Sequence, residues 1–355
     1  MKKILVINPF GIGDVLFTTP VIQAVKEAYP DAYLGYWCNQ RVSALLKNDP
    51  RINRIFALSR GDLKKLYHHS PMEAARKFFG LLSGIRKERF EVALDFSLDH
   101  RYSLACKILG IKKRVGFNYK KRGRFLTQKI DIDSYKDRHV VEYYLELLKF
   151  INIKAKSNKL YLFVPEADKN KARAKLRRLG VKEGDLVVGI APGAGASWGK
   201  YASIKHWPPL KYARLAEVLS SGLRTKILIL GDDSERSISD IIVSAMKNKP
   251  IDLTGKTGLE DLAALVSQLN ILITNDGGPL HIAVALAKKT VSIFGPVDER
   301  VYGPYPPGPD HIVIKKELPC RPCYNSFRFQ GCLSNRECID DISVEDVLNR
   351  VKELL

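Results

Sequence analysis

The chain has 355 residues, of which 45% are hydrophobic and 27% are charged. This length exceeds what one hydrophobic core usually serves and predicts two domains, while the composition excludes a disordered chain. No apolar run approaches the roughly 20 residues that span a bilayer, and the N-terminal apolar run is too short for a signal peptide. We therefore expect a cytoplasmic protein.

The first half of the chain alternates strand and helix patterns. Strands are predicted at 4–7, 32–37, 54–57 and 92–96, and helices at 15–28, 72–86, 102–109 and 139–150. Such an alternation predicts a parallel sheet covered by helices. We expect a first domain at 1–165 and interpret the polar region that starts at 154–159 and continues through 166–175 as a candidate linker.

The alternation restarts in the second half. Strands are predicted at 187–190, 226–230, 271–274 and 291–294, and helices at 210–220, 234–246, 259–269 and 344–355. We expect a second domain at 176–340, and the final helix (343–355) is a candidate to pack back on the first domain. Two such Rossmann-like domains predict parallel sheets that face a central cleft, with ligands at the carboxyl ends of the strands.

The formal net charge of +20 is concentrated in part of the first domain. Between residues 100 and 130 there are ten Lys or Arg residues and no acid. Candidate anion-binding residues there are Lys112, Arg114, Lys120, Arg122 and Arg124. Such a region attracts nucleic acid, an anionic membrane surface or an acidic substrate, unless it is merely a solvated face. Because no nucleic-acid-binding signature accompanies it, we expect an acidic glycolipid or a membrane surface and no nucleic acid.

Four of the six cysteines lie close together near the C-terminus: Cys320, Cys323, Cys332 and Cys338. The first pair has the short spacing of zinc ligands, but the second pair is spaced unusually. These cysteines either hold a structural zinc ion or stay free, redox-labile thiols. Cys38 and Cys106 are expected to be inert core thiols.

A Gly-x-Gly turn follows the first strand and contains Gly11, Gly13 and Asp14. The third glycine of a dinucleotide fingerprint would fall at Leu16, so that fingerprint is incomplete. Asp14 either favours the start of the following helix or acts as a general base that removes a proton from a substrate hydroxyl.

The second half contains a more distinctive turn after the strand at 271–274. Asp276, Gly277 and Gly278 precede Pro279, which suits the first turn of a helix, and His281 follows. A turn without side chains lets an anion approach backbone N–H groups at a helix N-terminus. The sequence therefore predicts a phosphate-bearing ligand here, although an ordinary strand-to-helix turn has the same pattern.

Two further loops follow predicted strands. The small-residue loop with Gly193 and Ala194 can also expose N–H groups to phosphate, with Lys200 or Lys205 as a nearby cation. Glu235 follows another strand and either accepts hydrogen bonds from a ribose or favours the helix dipole.

Together, these motifs resemble those of glycosyltransferase family 9, the lipopolysaccharide heptosyltransferases and their relatives. The residues that carry the resemblance are the Gly-x-Gly-Asp turn followed by Thr19-Pro20, the Pro-Gly-Ala loop with a later Lys-x-Trp-Pro, and the run from Asn275 to Ala283 followed by Phe294-Gly295-Pro296. The resemblance implies a GT-B fold and an inverting transferase that needs no metal. The expected donor is a nucleotide-diphosphate sugar, and ADP-heptose is the one that the resemblance favours. The expected acceptor is an anionic glycolipid such as the lipopolysaccharide inner core at the inner face of the membrane.

The resemblance also implies roles for single residues. Asp14 would be the general base, Gly13 beside it would bind the acceptor, and Lys205 would neutralise the leaving diphosphate. Asp276 would contact the donor sugar, and Gly277 and Gly278 would offer N–H groups to the phosphates. Glu235 would lie near the ribose. His281 would lie close to the same turn, and the resemblance assigns it no role. This chain has Gly277 where the family often has Thr, and a long loop in which Lys200 competes with Lys205.

Two other classes of function remain open at this point. One is a nicotinamide-dependent oxidoreductase, which the missing glycine disfavours. The other is a basic membrane-surface binding protein without catalysis, because Phe78, Phe79, Leu82 and Ile85 lie among basic residues on a predicted helix.

Overall fold

A computed structural model describes residues 2–194, 196–222 and 225–355, and of Ala196, Ser197 and Lys200 it describes the backbone alone. The chain divides into two compact units, Met1–Phe163 and Val164–Leu355. Two compact units are therefore seen, in agreement with the prediction of two domains.

The first unit is built on a parallel six-stranded sheet with the order β3-β2-β1-β4-β5-β6. Its strands are β1 (Lys3–Asn8), β2 (Tyr33–Cys38), β3 (Arg54–Ala57), β4 (Val92–Asp95), β5 (Lys113–Tyr119) and β6 (Gln128–Ile132). Its helices are α1 (Ile12–Phe17), α2 (Thr19–Ala28), α3 (Ser43–Leu46), α4 (Arg60–His69), α5 (Pro71–Glu88), α6 (His100–Ile108) and α7 (Val140–Glu146), with 3₁₀ turns at Gln40–Val42 and Leu147–Ile151. This strand order reverses between β1 and β4, and ligands bind at the carboxyl ends of strands at such a point.

The helix predicted at 15–28 is two helices that meet at Thr18. The Thr18 hydroxyl donates to the Val15 carbonyl at 2.6 Å and lies 2.7 Å from the Tyr36 hydroxyl on β2. A threonine side chain can bond to a backbone carbonyl in place of the helical pattern, and this interrupts the helix. The break leaves α1 as a short helix at the end of β1, with Asp14 in its first turn.

The second unit repeats this topology with a sheet in the order β12-β11-β10-β7-β8-β9, also parallel. Its strands are β7 (Val187–Ala191), β8 (Lys226–Ile229), β9 (Ile251–Asp252), β10 (Ile271–Asn275), β11 (Lys289–Phe294) and β12 (His311–Lys315), and β13 (Tyr324–Asn325) and β14 (Arg328–Phe329) form a small hairpin. Its helices are α8 (Glu166–Arg178), α9 (Pro209–Gly222), α10 (Arg236–Ala245), α11 (Leu259–Val266), α12 (Gly278–Ala285), α13 (Glu299–Tyr302), α14 (Glu337–Asp340) and α15 (Val344–Leu354), with 3₁₀ segments at Ala196–Lys205 and Asp233–Glu235. The reversal point here lies between β7 and β10. β7 and β10 are buried along their whole length, as expected for central parallel strands.

Two expectations about the ends of the domains differ from the structure. The segment 166–175 is not a linker but most of α8, which packs on α11 and buries Ala172 and Leu176. The final helix α15 belongs to the second unit, where it packs on α9, β11 and β12. Val347, Val351 and Leu354 place its apolar side in the second unit's core. None of the helices in the described part of the chain combines the length and apolar character needed to cross a bilayer.

Candidate functional site

Asn275, the last residue of β10, holds together the loops at the reversal point of the second unit. Its side-chain amide donates to the carbonyls of Pro192 at 2.6 Å and Gly193 at 3.2 Å. Its oxygen accepts from the Trp207 backbone N–H at 3.1 Å and from the Tyr212 hydroxyl at 3.0 Å. Asn275 is completely buried. The sequence gives no sign of this role, because the partners of Asn275 lie more than 60 residues away.

Glycines let three loops approach one another at this edge of the sheet. A Cβ atom on Gly277 would lie 3.2 Å from the Ala194 carbonyl oxygen, and one on Gly193 would lie 1.6 Å from Glu235 Oε1. Gly277 has an extended backbone (φ −178°), so close approach rather than strain explains the absence of a side chain. The structure thus brings together four of the predicted donor residues, namely Gly193, Ala194, Glu235 and Gly277. Gly278 begins α12 beside them.

Glu235 has a local structural role as well as this position. Its Oε2 accepts from the Asp232 backbone N–H at 3.1 Å as part of a capping box that starts a 3₁₀ turn. The capping carboxylate also lies against the Gly193 loop, and its contact with a ribose stays a prediction.

Lys205 and Asp276 form a buried ion pair at the same corner. Lys205 Nζ lies 2.7 Å from Asp276 Oδ2, and the side chains are only 5% and 9% exposed. The ammonium group also lies 4.9 Å from the centroid of the Trp198 ring. Two predicted site residues that lie far apart in the sequence are therefore direct partners. The side chain of Lys200, the other predicted phosphate ligand, falls outside the described part of the structure.

His281 lies in α12 and is almost fully buried. Burial, and to a lesser degree the neighbouring charge of Lys205, lowers the pKa of its imidazole to about 3. His281 is therefore neutral near pH 7 and does not serve as a general acid there.

The cysteine-rich segment near the C-terminus braces these loops from outside. The rings of Tyr324 and Phe329 pack on Trp198 at centroid distances of 5.1 and 5.5 Å. The Arg336 guanidinium donates to the His206 carbonyl at 2.6 Å. Arg321 donates to the Gly295 carbonyl at 2.5 Å, after β11. These contacts connect the C-terminal segment to Trp198, to His206 and to the loop after β11.

In the first unit, Asp14 occupies the corresponding reversal point. It lies half-buried in the first turn of α1, and the Asn8 side chain donates to its backbone carbonyl at 2.9 Å. Burial, and to a lesser degree the Asp14 charge, raises the pKa of Tyr36 and of Tyr135 well above the usual value. Gly11, not Asp14, occupies the N-cap position. A carboxylate in a first helical turn is favoured by the helix dipole.

Asp95 at the end of β4 is a buried carboxyl group that the sequence analysis did not select. Burial raises its pKa to about 7, although the Ser97 backbone N–H donates to Oδ1 at 2.9 Å. A single Asp at the end of a short strand gives little signal in a sequence, because burial on all sides depends on the fold.

The predicted acceptor residues divide into exposed and structural ones. Lys112, Lys120, Arg122 and Arg124 are exposed, and the last three lie over the rings of Tyr119 or Phe125. Arg114 is different, because its guanidinium donates to the carbonyls of Phe125 at 2.7 Å, Ile111 at 2.5 Å and Lys112 at 3.1 Å. Arg114 therefore holds the loop between β5 and β6, and its role in acceptor binding stays a prediction.

Comparison with known proteins identifies the family. The model of glycosyltransferase family 9 (heptosyltransferase) matches residues 79–332, which is more than half of the chain. The chain belongs to glycosyltransferase family 9. It is 26% identical to lipooligosaccharide heptosyltransferase 2 of Campylobacter jejuni, with 99% of this chain and 98% of that protein covered.

Solved structures of family 9 proteins have the same fold. A glycosyltransferase family 9 structure from Veillonella parvula matches with a TM-score of 0.83 and 23% identity, covering 99% of this chain and 97% of the other. The E. coli heptosyltransferase WaaC, solved with ADP-2-deoxy-2-fluoro heptose, matches with a TM-score of 0.72 and 16% identity, covering 99% and 100%. The family resemblance, the GT-B fold with two parallel-sheet domains and the glycosyltransferase class are thereby confirmed. The alternatives of an oxidoreductase and of a binding protein without catalysis are set aside.

The four clustered cysteines of this family 9 enzyme form no disulfide bonds in the described part of the chain. Cys323 Sγ donates to the Cys320 carbonyl at 3.0 Å, and Cys332 Sγ accepts from the Arg336 N–H at 3.1 Å. Burial raises the pKa of Cys323 to about 11. Among the described residues, no three His, Cys, Asp or Glu side chains are arranged as ligands of a metal ion. A zinc ion at these cysteines remains a prediction from their spacing. Cys38 and Cys106 are buried, as expected of core thiols.

Proposed function

We propose that this enzyme transfers heptose from ADP-heptose to an anionic glycolipid of the lipopolysaccharide inner core, with inversion and without a catalytic metal. The names of its relatives support this choice of donor and pathway, because the Campylobacter jejuni relative is a lipooligosaccharide heptosyltransferase and WaaC was solved with an ADP-heptose analogue. We assign donor binding to the second unit and acceptor binding to the first.

The single observation that carries the donor assignment is the Lys205–Asp276 ion pair beside the glycine corner. In our proposal, the diphosphate rests against the backbone of Gly277 and Gly278 at the start of α12. Backbone N–H groups at a helix N-terminus favour an anion, and glycines let it approach. Glu235 then lies near the ribose, and the Gly193–Ala194 loop lies near the phosphates.

The ion pair gives Lys205 a role in the departure of ADP. In the free enzyme Asp276 balances the charge of Lys205 in a buried position. As the bond to the sugar breaks, negative charge develops on the diphosphate, and Lys205 offsets it without having to be reoriented from solvent. A preorganised donor of this kind contributes about 3 kcal/mol to transition-state stabilisation. Asp276 is then free to contact the sugar.

Asp14 is proposed as the general base of the same reaction. It accepts the proton of the acceptor hydroxyl, whose oxygen forms a bond to the anomeric carbon while the bond from that carbon to ADP breaks. A single displacement of this kind inverts the anomeric configuration. The exposed side chains of Lys112, Lys120, Arg122 and Arg124 are proposed to attract the anionic acceptor at the inner face of the cytoplasmic membrane.

A transfer assay tests this function directly. The purified enzyme is incubated with ADP-heptose and a heptose-free inner-core glycolipid, and ADP release and glycolipid mass are followed with and without a chelator. We expect one added heptose per acceptor, at a rate that the chelator does not change. Transfer from UDP- or GDP-sugars but not from ADP-heptose would contradict the proposed donor, and loss of activity with the chelator would contradict metal independence.

A further inference from the structure

The helical hairpin formed by α4 and α5 is only partly packed on the first unit. The second half of α5 belongs to the core: Ile85 is buried there, and Leu81 and Leu82 pack against it. In contrast, α4 has no buried residue, and the element it packs against is α5. The tip of the hairpin, residues 63–79, therefore contributes little to the core of its own unit.

This tip carries an apolar groove that faces solvent. The groove has a volume of about 760 Å³ and is lined by Leu63, Tyr67, Ala74, Ala75, Phe78 and Phe79. Three large apolar side chains at the tip are strongly exposed, namely Met72 at 84%, Phe79 at 64% and Tyr67 at 60%. Contiguous apolar surface of this kind on a soluble unit indicates a site that another surface covers.

The charges around the groove indicate what kind of surface covers it. Residues 60–79 contain five Lys or Arg and only two Asp or Glu. Lys64, Lys65, Arg76 and Lys77 are exposed on the two helices. Apolar side chains flanked by lysine and arginine on short helices are typical of segments that lie in the interface of an anionic bilayer. This charge complementarity favours acidic lipid over a second copy of this chain, which has a net charge of +20.

The hairpin also starts at the edge of the sheet that carries Asp14. α4 follows directly after the carboxyl end of β3, and Asp14 follows the carboxyl end of β1 in the same parallel sheet. The Arg60 guanidinium at the start of α4 lies 3.5 Å from Asp99, which caps the helix after β4. A bilayer in contact with the hairpin would therefore lie at the edge where the acceptor is expected.

We propose that the α4–α5 hairpin is a membrane-docking surface, which places Tyr67, Met72 and Phe79 among the headgroups of an anionic bilayer while its lysines and arginines bind acidic lipids. The choice of a membrane rests on the proposed function, since that function needs an acceptor embedded in lipid. The docking itself does not depend on heptose transfer.

Vesicle sedimentation tests the proposal with the full-length protein. The probes are vesicles of phosphatidylethanolamine with phosphatidylglycerol, and vesicles of phosphatidylcholine alone. The variant Met72→Ser/Phe79→Ser is compared with Leu210→Ser, a matched control because Leu210 is also 64% exposed but lies in the second unit. Thermal unfolding of both variants should stay close to that of the wild type, since all three side chains are exposed.

We expect the wild type and Leu210→Ser to bind the anionic vesicles, and the double variant to bind them roughly tenfold more weakly or worse. Binding should fall with added salt and be weak on phosphatidylcholine. With a water-soluble, deacylated acceptor, the double variant should turn over like the wild type.

Two results would overturn the proposal. One is unchanged sedimentation of the double variant with the anionic vesicles. The other is a wild-type dimer that the double substitution converts to a monomer, because the groove would then be covered by a second copy. If no heptose transfer is found with any acceptor, the proposed function fails while the sedimentation result still decides the docking surface.

Discussion

Replacing Lys205 with alanine leaves the carboxylate of Asp276 buried without its cation. The two side chains are 5% and 9% exposed and lie 2.7 Å apart, so little solvent can compensate. Removing one partner of a buried ion pair lowers the free energy of unfolding by about 3–5 kcal/mol. For a domain of this size each kcal/mol lowers Tm by roughly 2–4 °C, so we expect a loss of roughly 6–20 °C.

The double variant Lys205→Ala/Asp276→Ala separates stability from ligand binding. Because it removes both charges, the double variant should regain much of the unfolding free energy that Lys205→Ala loses. Its destabilisation should therefore be clearly smaller than the sum of the destabilisations of the two single variants. ADP affinity should not recover, because the cation for the diphosphate is still missing. A charged hydrogen bond contributes about 1.5–3 kcal/mol, which predicts ADP binding weaker by roughly 10- to 150-fold in both Lys205 variants.

Asp276→Asn supplies the matched control. This variant keeps Lys205 and places beside it an asparagine of nearly the same size as the aspartate. ADP binding should therefore be retained or become tighter, while sugar transfer falls. Calorimetric titration with ADP and thermal unfolding measure both quantities on all variants. The reasoning is refuted if the double variant binds ADP as tightly as the wild type, or if Lys205→Ala unfolds at the wild-type temperature.

Three further predictions follow from single residues. Asp14→Asn should reduce transfer by roughly 10²- to 10⁴-fold and leave ADP affinity near normal, and an equal loss of both in kinetics and titration would speak against a base. Asn275→Ala should destabilise the enzyme by about 2–4 kcal/mol in denaturant unfolding, because its four partners are buried, and should weaken ADP binding in step; a stable variant with normal ADP affinity would contradict its positioning role. Because burial lowers the pKa of His281 to about 3, the unfolded chain binds its proton first as pH falls below 6.5, so stability falls with falling pH. His281→Gln should flatten that slope by up to about 1.4 kcal/mol per pH unit between pH 6 and 4, and an unchanged slope would show that His281 is not buried as neutral.

The central strands could be predicted from the sequence because burial on both faces leaves near-continuous apolar runs, as in β1, β7 and β10. The turns after these strands could also be found, since glycines and helix-starting residues follow each run. Strands β5 and β6 were missed because lysines and arginines interrupt their apolar pattern. β6 is an edge strand, where a sheet tolerates such charges, and β5 is identified only by its pairing with β4 and β6.

Contacts between residues that lie far apart in the chain could not be predicted from the sequence, for a physical reason. Lys205 and Asp276 were each selected, but as separate contacts to different parts of the donor, since nothing local indicates that a loop folds back on a turn. The same holds for Asn275, whose partners come from two other segments. The final helix was only a candidate to pack on the first domain, and it lies in the core of the second unit; an amphipathic pattern shows that a helix packs, but not on which core.

A crystal structure of the enzyme with an ADP-heptose analogue tests the central claim most directly. We predict that the diphosphate accepts hydrogen bonds from the backbone N–H groups of Gly277 and Gly278, with Lys205 Nζ within about 3 Å of a phosphate oxygen. A diphosphate bound elsewhere in the second unit, or at the corner without Lys205 and with Lys200 as its cation, would contradict the account.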